Sequence, residues 1–550
     1  MHALATKTIK TFGYVIRYGC VAHCVFKYLG DIVVCSGNSM EPTVHSEDIV
    51  LIEHVSPRCR NIGKGDVVIA KCPNNPKQYV CKRVVGVPGD RVRGDNKDNS
   101  SDSRVYGPVP QGLIRIFTGG IKLWPDDTLE INPWVRYGYM WTIVLYLLRL
   151  VTFLPLPQVM YNFIGMTMYN AFPDKVTLKG SPLLAPFICI RIVTRGDYKD
   201  LVRSNVSRNM NKCIEAGLEN FLIEVVTDKR IGLQHHRRIR EVVVPPSYRT
   251  KSGALFKARA LQYCLEESVN ILADNDWIVH LDEETLLTEN SVRGILNFVM
   301  DGKHQFGQGL ITYANEDVVN WVTTLADSFR VADDMGKLRL QFYMFHKPLF
   351  SWKGSFVVTQ VGAEKRVSFD NGPDGSVAED CYFAMMAFNE GYTFNFIEGE
   401  MWEKSPFTLS DFVQQRKRWL QGILLVVHAK TIPWRKKILL CVSCYSWVTL
   451  PLSTSNVILA ALCPIPCPPL IDFTCAFIGA VNIYMYIFGV VKSFTIYRFG
   501  LLRFLLCICG ALLTIPINII IENIAVIWGI IGEKHKFYIV NKNIRPPITV

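Results

Sequence analysis

Along the 550 residues the spacing of apolar positions changes character several times, and each change marks a different class of element. Residues 8–35, TIKTFGYVIRYGCVAHCVFKYLGDIVVC, are mostly apolar, are broken by Arg17, His23 and Lys27, and lack a small-residue cleavage site; 1–35 reads as an uncleaved anchor helix. Residues 36–127 are polar, punctuated by Gly and Pro, and carry short patterns such as DIVLIEHV and KGDVVIAK, as expected of a small all-β domain. A second apolar run over 138–156, which includes WTIVLYLLRLVTFLPL, is long enough at about 1.5 Å per residue to cross a bilayer of about 30 Å.

From 180 to 435, apolar strands (FICIRIVT, FLIEVVTD, DWIVHLDEE) alternate with helical patterns such as SGALFKARALQYCLEES, where Leu255, Ala258, Leu261 and Leu265 share a face. That alternation predicts an α/β sheet. Over 437–532 the chain is apolar enough for three or four membrane segments. The last run, from Phe499, contains Pro516, Asn518, Glu522 and Asn523 and fits one broken helix or a hairpin of two. The whole reads as a multi-domain membrane protein.

Composition agrees, since 49% hydrophobic and 20% charged residues exclude a disordered tail and a single small soluble module. The net charge of +12 would suit nucleic acid, but no Arg/Lys stripe interleaved with aromatics occurs. The basic residues instead cluster beside apolar runs, which points to a membrane face and phosphate-bearing substrates and to no nucleic-acid partner. Cys441-x-x-Cys444 and Cys463-x-x-x-Cys467 have zinc-like spacing, but they lie in or beside apolar spans without His partners and read as packing.

Two constellations carry chemistry. Ser39 sits in SGNSMEPT among turn formers that expose a hydroxyl, and Lys82 opens KRVVGVPGD. A buried, neutral lysine amine can take the serine proton, although one Ser and one Lys alone prove nothing. With GDVV and GDNKDNSSDSRVYGPV following in order, residues 1–127 resemble the type I signal peptidases, in the short form of the mitochondrial inner membrane protease subunits. The resemblance implies Ser39 as nucleophile and Lys82 as general base, with Asp95, Asn96, Ser101 and Asp102 in a structural signature near the dyad. It also implies a second protease subunit and presequence peptides as partners. The family places a β segment between its Pro-Gly-Asp and Gly-Asp-Asn turns, whereas here Asp90 runs through Arg91, Val92 and Arg93 into Gly94, so this domain is incomplete and its cleft impaired.

The second constellation lies at strand ends. Asp282 and Glu284 close DWIVHLDEE, and two hard carboxylates at i and i+2 suit Mg²⁺ or Mn²⁺ beside a diphosphate; the competing reading is an acidic helix start through ETLLTEN. Asp228 ends FLIEVVTD, Asp197 lies in VTRGD, Lys257 in KSGALFKAR, and Asp380 opens the helix CYFAMMAFNEG, where it could equally be a cap. Gln415, Arg418 and Trp419 share one helical face.

In this order these pieces resemble the inverting nucleotide-sugar transferases of the GT-A fold. The stretches EVVVPPSYRTKSGALFKARALQYCLE and AEDCYFAMMAF make 135–550 similar to the Egghead-type β-1,4-mannosyltransferases of glycosphingolipid synthesis. The resemblance implies β-1,4-mannosyl transfer from GDP-mannose to a glucosylceramide-type lipid. In that scheme Asp380 is the general base and Asp282 with Glu284 holds the metal. Asp228, Asp197, Lys257 and Arg418 face the donor, and Gln415 and Trp419 the acceptor. It further implies a multi-pass protein of endoplasmic reticulum or Golgi membranes with a cytosolic catalytic domain. A noncatalytic membrane scaffold is the third class, and it expects neither nucleotide binding nor peptide cleavage.

The peptidase resemblance asks for the mitochondrial inner membrane instead. We read the incompatible compartments as two neighbouring genes joined near 125–135, and expect separate transcripts. Amplification of one continuous message from Trp124 to Trp134 would overturn that reading.

Overall fold

The computed structural model describes residues 30–53, 65–72, 75–85, 92–93, 114–117, 132–172, 175–314, 318–533 and 538. The chain divides into two compact units, Met1–Thr142 with Pro464–Pro466, and Ile143–Cys463 with Cys467–Val550.

In the first unit Val- and Ile-rich runs form β1 (Gly30–Val34), β2 (Ile49–Glu53), β3 (Val67–Cys72), β4 (Asn75–Val84), β5 (Val92–Arg93) and β6 (Ile114–Phe117). They make an antiparallel sheet in the order β1-β2-β6-β3-β4-β5. Met40, Val44, Val50, Ile52, Val67 and Ile69 pack as its core. The anchor expected over 1–35 is corrected at its end: residues 30–34 are a strand, paired in register with 49–53. Residues 1–29, with the signature Asp95, Asn96, Ser101 and Asp102, lie outside the described residues. A short helix, α1 (Pro133–Tyr137), follows.

The second unit is built on β7 (Ile188–Thr194), β8 (Phe221–Thr227), β9 (Ile239–Val243), β10 (Trp277–Asp282), β11 (Phe306–Thr312), β12 (Val357–Gln360) and β13 (Phe394–Trp402). The order is β13-β11-β12-β10-β7-β8-β9, with β12 antiparallel to both neighbours and the other pairs parallel. Strands buried on both faces explain the unbroken apolar runs: β8 and β11 are buried at every position. Inside this sheet Arg191 Nε meets Glu224 Oε1 at 2.8 Å and its Nη1 meets Glu364 Oε1 at 3.3 Å, while His280 Nε2 lies 2.7 Å from Glu364 Oε2. Burial pushes the Glu364 carboxyl up, but His280 and Arg191 outweigh it and hold the group below its ordinary value.

The helices that cover the sheet or flank it begin with α2 (Tyr139–Val151), α3 (Leu156–Met168), α4 (Lys199–Glu215), α5 (Phe256–Tyr263) and α6 (Glu289–Asp301). They continue with α7 (Trp321–Asp333), α8 (Val361–Val367), α9 (Glu379–Asn389) and α10 (Leu409–His428). The last four, α11 (Ile438–Val448), α12 (Leu450–Leu462), α13 (Pro469–Ser493) and α14 (Ile496–Ile531), are the apolar carboxy-terminal series. The face proposed for 255–265 shortens, since α5 ends at Tyr263 and Leu255 is exposed while Ala258 and Leu261 are buried.

Three helices among the described residues are long and apolar enough to cross a membrane, Tyr139–Met168, Leu470–Ser493 and Ile496–Ile531, and the bent pair α11–α12 makes up to four. The span expected at 138–156 is longer than the sequence suggested. The turn Thr152–Pro155 interrupts it, Pro157 starts α3 within its first turn, and the apolar run continues to Met168. The last run is one helix, not a hairpin: it carries Pro516 inside and its break falls at Gly500, whose φ of 74° suits glycine. The free Cys441, Cys444, Cys463 and Cys467 lie in or beside these helices.

Glu364→Ala leaves Arg191 and His280 without their shared carboxylate, and is expected to destabilise the fold by about 3–5 kcal/mol. Because this carboxyl titrates below its ordinary value when folded, its contribution is present at neutral pH and is lost as pH falls through the lowered value. Thermal unfolding of the detergent-solubilised variant at neutral pH checks this; an unchanged melting temperature would contradict it.

Candidate active sites

The parallel register brings acidic residues level. Asp282 pairs with Val193 and Thr194 with Thr227, so Asp282, Asp197 and Asp228 follow the carboxyl ends of three adjacent strands. The segment after β10 is not a helix start, because α6 begins only at Glu289, capped by Thr288. It alternates instead. Glu283 is buried and accepts a short hydrogen bond from Thr194 Oγ1, and Asp282, Glu283 and Glu284 all line a cavity.

Helix α4 pins this turn. Asn205 Nδ2 donates to the Glu283 carbonyl at 2.9 Å, and Asn209 holds the Thr285 carbonyl at 3.0 Å and the Leu287 amide at 2.8 Å. Asn205 belongs to a glycosylation triplet by sequence, but its buried amide serves this structural bond.

The cavity has a volume of about 1760 Å³. Asp197, Asp228, Lys257, Asp282, Glu284, Asp380, Gln415, Arg418 and Trp419 all line it. Lys257 reaches from α5 to Asp282 Oδ1 at 2.6 Å, to the Gly354 carbonyl at 3.2 Å and to within 3.8 Å of Glu379. A side chain at 354 would not fit easily, since a Cβ there would lie 3.1 Å from Asp380 Oδ2 and 3.2 Å from Lys257 Nζ. Burial depresses the Lys257 ammonium, but Asp282 and Glu379 reverse the effect and raise it.

Asp380 stands in the first turn of α9, whose cap is Ala378, and its Oδ1 accepts from the Cys381 amide at 2.7 Å. Burial pushes the Asp380 carboxyl above its ordinary value against that amide and Lys257. Glu379 is pushed up to about 7 by burial and by Asp380.

On α10, burial lowers the Arg418 guanidinium while Glu379, Asp282, Asp380 and Glu284 all attract it, and its Nη1 donates to the Tyr538 carbonyl at 3.0 Å. Trp419 carries Arg330 at 4.3 Å and Arg416 at 4.8 Å from its ring centroid, so a sugar stacking there must share the ring with a guanidinium. Asp228 is engaged by Arg259 Nη2 at 2.5 Å, and Asp197 by Lys229 at 2.5 Å and Arg195 at 3.6 Å.

Sequence reasoning missed Glu403 and Arg330, which also line the cavity. Glu403 follows β13 as Asp282 ends β10, bonds Thr285 Oγ1 at 2.5 Å, and is pushed up to about 7 by burial, Glu284 and Asp282. The strand-end rule applied to IEGEMWEK would have found it; nothing local marks Arg330, in the middle of α7.

Asp282 and Glu284 fit a divalent cation chemically, as hard carboxylates lining one cavity, and Asp282 already holds a cationic ammonium at 2.6 Å. Among the described residues no three His, Cys, Asp or Glu side chains form a complete metal cage. Such a pair matches Mg²⁺ or Mn²⁺ completed by phosphate oxygens and water.

In the first unit Lys82, 3% exposed, directs Nζ to Ser39 Oγ at 2.7 Å. Ser39 sits before the Met40–Val44 turn, and Lys82 on β4 pairs with Val68. Among the described residues β5 adds the pairs Arg83–Arg93 and Val84–Val92 to that edge.

Comparison with known proteins places both units. The model for glycosyl transferase family group 2 matches residues 277–492, and that for signal peptidase, peptidase S26, matches 7–94. The Drosophila melanogaster β-1,4-mannosyltransferase egh is 72% identical over 437 residues, covering 80% of this chain and 96% of the fly protein. The Caenorhabditis elegans β-1,4-mannosyltransferase bre-3 is 62% identical over 422 residues, 76% of this chain and 92% of its own.

Human mitochondrial inner membrane protease subunit 1 is 46% identical over 143 residues, 22% of this chain and 84% of the human one. That share supplies fewer residues than the alignment has positions, so the chain skips part of the protease. A solved mannosyltransferase from Pyrobaculum calidifontis, in complex with GDP-Man and Mn²⁺, covers 69% of this chain and 99% of its own at 12% identity and a TM-score of 0.37, too loose a likeness to carry an argument.

The mixed sheet and the group 2 match give the larger unit a GT-A-like fold. The chain belongs to the β-1,4-mannosyltransferase family, a glycosyltransferase whose amino-terminal fifth is similar to mitochondrial inner membrane protease subunit 1.

Proposed function

We propose that the chain transfers mannose from GDP-mannose, with inversion, to the sugar hydroxyl of a glucosylceramide-type lipid, at a cytosolic face of secretory-pathway membranes. The observation that carries the reading is the convergence of Asp228, Asp282, Glu284, Asp380 and Arg418 on one cavity that continues among the membrane helices. The fly and nematode relatives, named as β-1,4-mannosyltransferases, support it.

A sugar hydroxyl is a poor nucleophile near neutral pH. Asp380 takes its proton as the hydroxyl oxygen bonds the mannose anomeric carbon. The bond from that carbon to the diphosphate breaks, and its electron pair leaves with GDP. Attack from the face opposite GDP turns an α-linked donor into a β product. In this reading Arg418 and Lys257, which line the cavity, neutralise the leaving diphosphate, and Asp228 and Asp197, which line it too, contact the nucleotide. Asp282 and Glu284 would hold a Mg²⁺ or Mn²⁺, which supplies further charge neutralisation on the diphosphate. Gln415 and Trp419 wall the acceptor side. Burial keeps Glu379 protonated up to about pH 7 and so limits the negative charge beside Asp380.

Asp380→Asn is expected to lower mannose transfer from GDP-mannose to glucosylceramide by about 10²–10⁴-fold while leaving GDP affinity intact. A retained rate would remove Asp380 as the base.

A second reading, favoured by the 2.7 Å Lys82–Ser39 bond, is peptide-bond hydrolysis by the first unit. The protease segment that the chain skips is expected to leave less edge to align an extended peptide. Cleavage of presequence-type peptides is expected to be slow and to vanish in Ser39→Ala; cleavage that persists in the variant would dismiss the dyad.

A further inference from the structure

The cavity does not stop at the carboxylates. Its lining runs on into the apolar carboxy-terminal series, to Val457 and Ile458 on α12, Gly479 and Ile483 on α13, and Ile519 on α14. Val457, Ile458 and Ile483 are nevertheless 71%, 59% and 48% exposed. Residues that line a cavity and also face outward mark its mouth. Helices α12 and α13 are consecutive in sequence, yet each packs on α14 and hardly on the other, so the mouth is a slot between them.

The depth of the slot selects its occupant. Gly479 and Ile483 fall in the middle of the candidate span Leu470–Ser493, at the level of the hydrocarbon, where a water-soluble ligand has no access and aliphatic chains are already present. Size agrees: a pocket of about 300–1,000 Å³ encloses one drug-sized ligand, so 1760 Å³ leaves room for a second occupant beside a nucleotide sugar. Polar groups along this arm are already engaged. Arg416 Nε lies 3.1 Å from Glu522 Oε1, Trp447 Nε1 donates to Glu522 Oε2 at 3.1 Å, Ser443 Oγ donates to Gln158 Oε1 at 2.9 Å, and Asn523 Nδ2 donates to Thr454 Oγ1 at 3.2 Å. What enters must therefore bring apolar surface rather than hydrogen bonds.

Gly479 sets the width of the slot. Elsewhere on α13 glycine serves packing, since a Cβ at Gly489 would collide with the Ser328 carbonyl. At Gly479 a Cβ would meet no atom within 4 Å, and the helical backbone there does not call for glycine. The missing side chain gives space, not contact.

We infer that the slot between α12 and α13 is the doorway through which the aliphatic chains of the acceptor lipid slide in from the bilayer, and that Gly479 keeps it wide enough to pass them. The sugar of such a lipid travels up the cavity to the carboxylates while its chains stay between the helices. The inference deepens the proposed transfer by naming the acceptor's route, and rests on that reading for the identity of the lipid.

The test uses the full chain in phosphatidylcholine vesicles and a glucosylceramide with a photoreactive group midway along its acyl chain, with mannose transfer followed in parallel. Labelling is expected around Val457 and Ile483, abolished by excess unlabelled glucosylceramide and not by added phosphatidylcholine. Gly479→Leu, which meets no neighbour but fills the slot, is expected to lower that labelling roughly tenfold, the scale of overpacking a fitted site, and to raise the KM for glucosylceramide in step while kcat and the melting temperature hold. Should the melting temperature fall as well, Val457→Trp narrows the slot from its other wall and gives the same readout. Competed labelling elsewhere on the chain, or labelling and KM that are unchanged in the folded variant, overturns the inference. Competed labelling at the slot that Gly479→Leu removes, in a protein that transfers no mannose, would sustain the doorway and reject the transferase reading.

Discussion

The larger unit is governed by the crowding of like charges at the carboxyl ends of its strands. Asp282, Glu284, Glu379, Asp380 and Glu403 line one cavity together with Lys257, Arg330 and Arg418. Burial strengthens both the repulsion among them and the attraction to Lys257 and Arg418. The outcome is visible in protonation: Glu379 and Glu403 are both pushed up to about 7. It is visible in geometry too, for Lys257 sits on Asp282 at 2.6 Å and within 3.8 Å of Glu379, and Gly354 leaves room for that approach. Under the proposed transfer, a diphosphate entering among these carboxylates would need cationic charge beside it.

The same constraint explains why the membrane helices belong to the site. Arg416 on α10 is held by Asp327 of α7 at 2.8 Å and by Glu522 of α14 at 3.1 Å, and Arg330 and Arg416 both bear on Trp419. This buried charge network ties the amphipathic helix carrying Arg418 to a membrane-type helix. Close packing supports it: a Cβ at Gly489 of α13 would lie 1.8 Å from the Ser328 carbonyl on α7. Displacing α13 or α14 would unseat cations that face the carboxylates, so the apolar series acts as a wall of the cavity as well as an anchor.

How much of this was legible from sequence depends on whether position along an element decides function. Asp197, Asp228 and Asp282 follow strands, and an apolar run ending in an acid is readable without coordinates. Glu403 obeys the same rule and was overlooked because EGEMWE does not look like a buried strand; β13 is partly exposed along its length. Arg330 and Gly479 could not be read. Their meaning comes from helices that cross far apart in sequence, and nothing local separates Arg330 from a solvated helix cation or Gly479 from an ordinary packing glycine. Element bounds failed where turn chemistry competed with hydropathy, as at 152–155, and where β-branched residues ended a long apolar run, as at 30–34.

The first unit separates two things that usually travel together. A nucleophile and its base need only one local geometry, here the turn after Ser39 set against the middle of β4, and Lys82 meets Ser39 at 2.7 Å although the chain skips part of the related protease. Substrate alignment needs an extended strand edge, to which β5 contributes two residue pairs among the described residues. In the peptidase reading, loss of edge strands would remove backbone pairing before it disturbed a Ser39–Lys82 dyad, so a deficit would fall on peptide binding rather than on activation of the serine. A small activated ester, which needs no strand pairing, would then react at Ser39 more readily than any peptide, and that contrast separates a crippled cleft from a dead nucleophile.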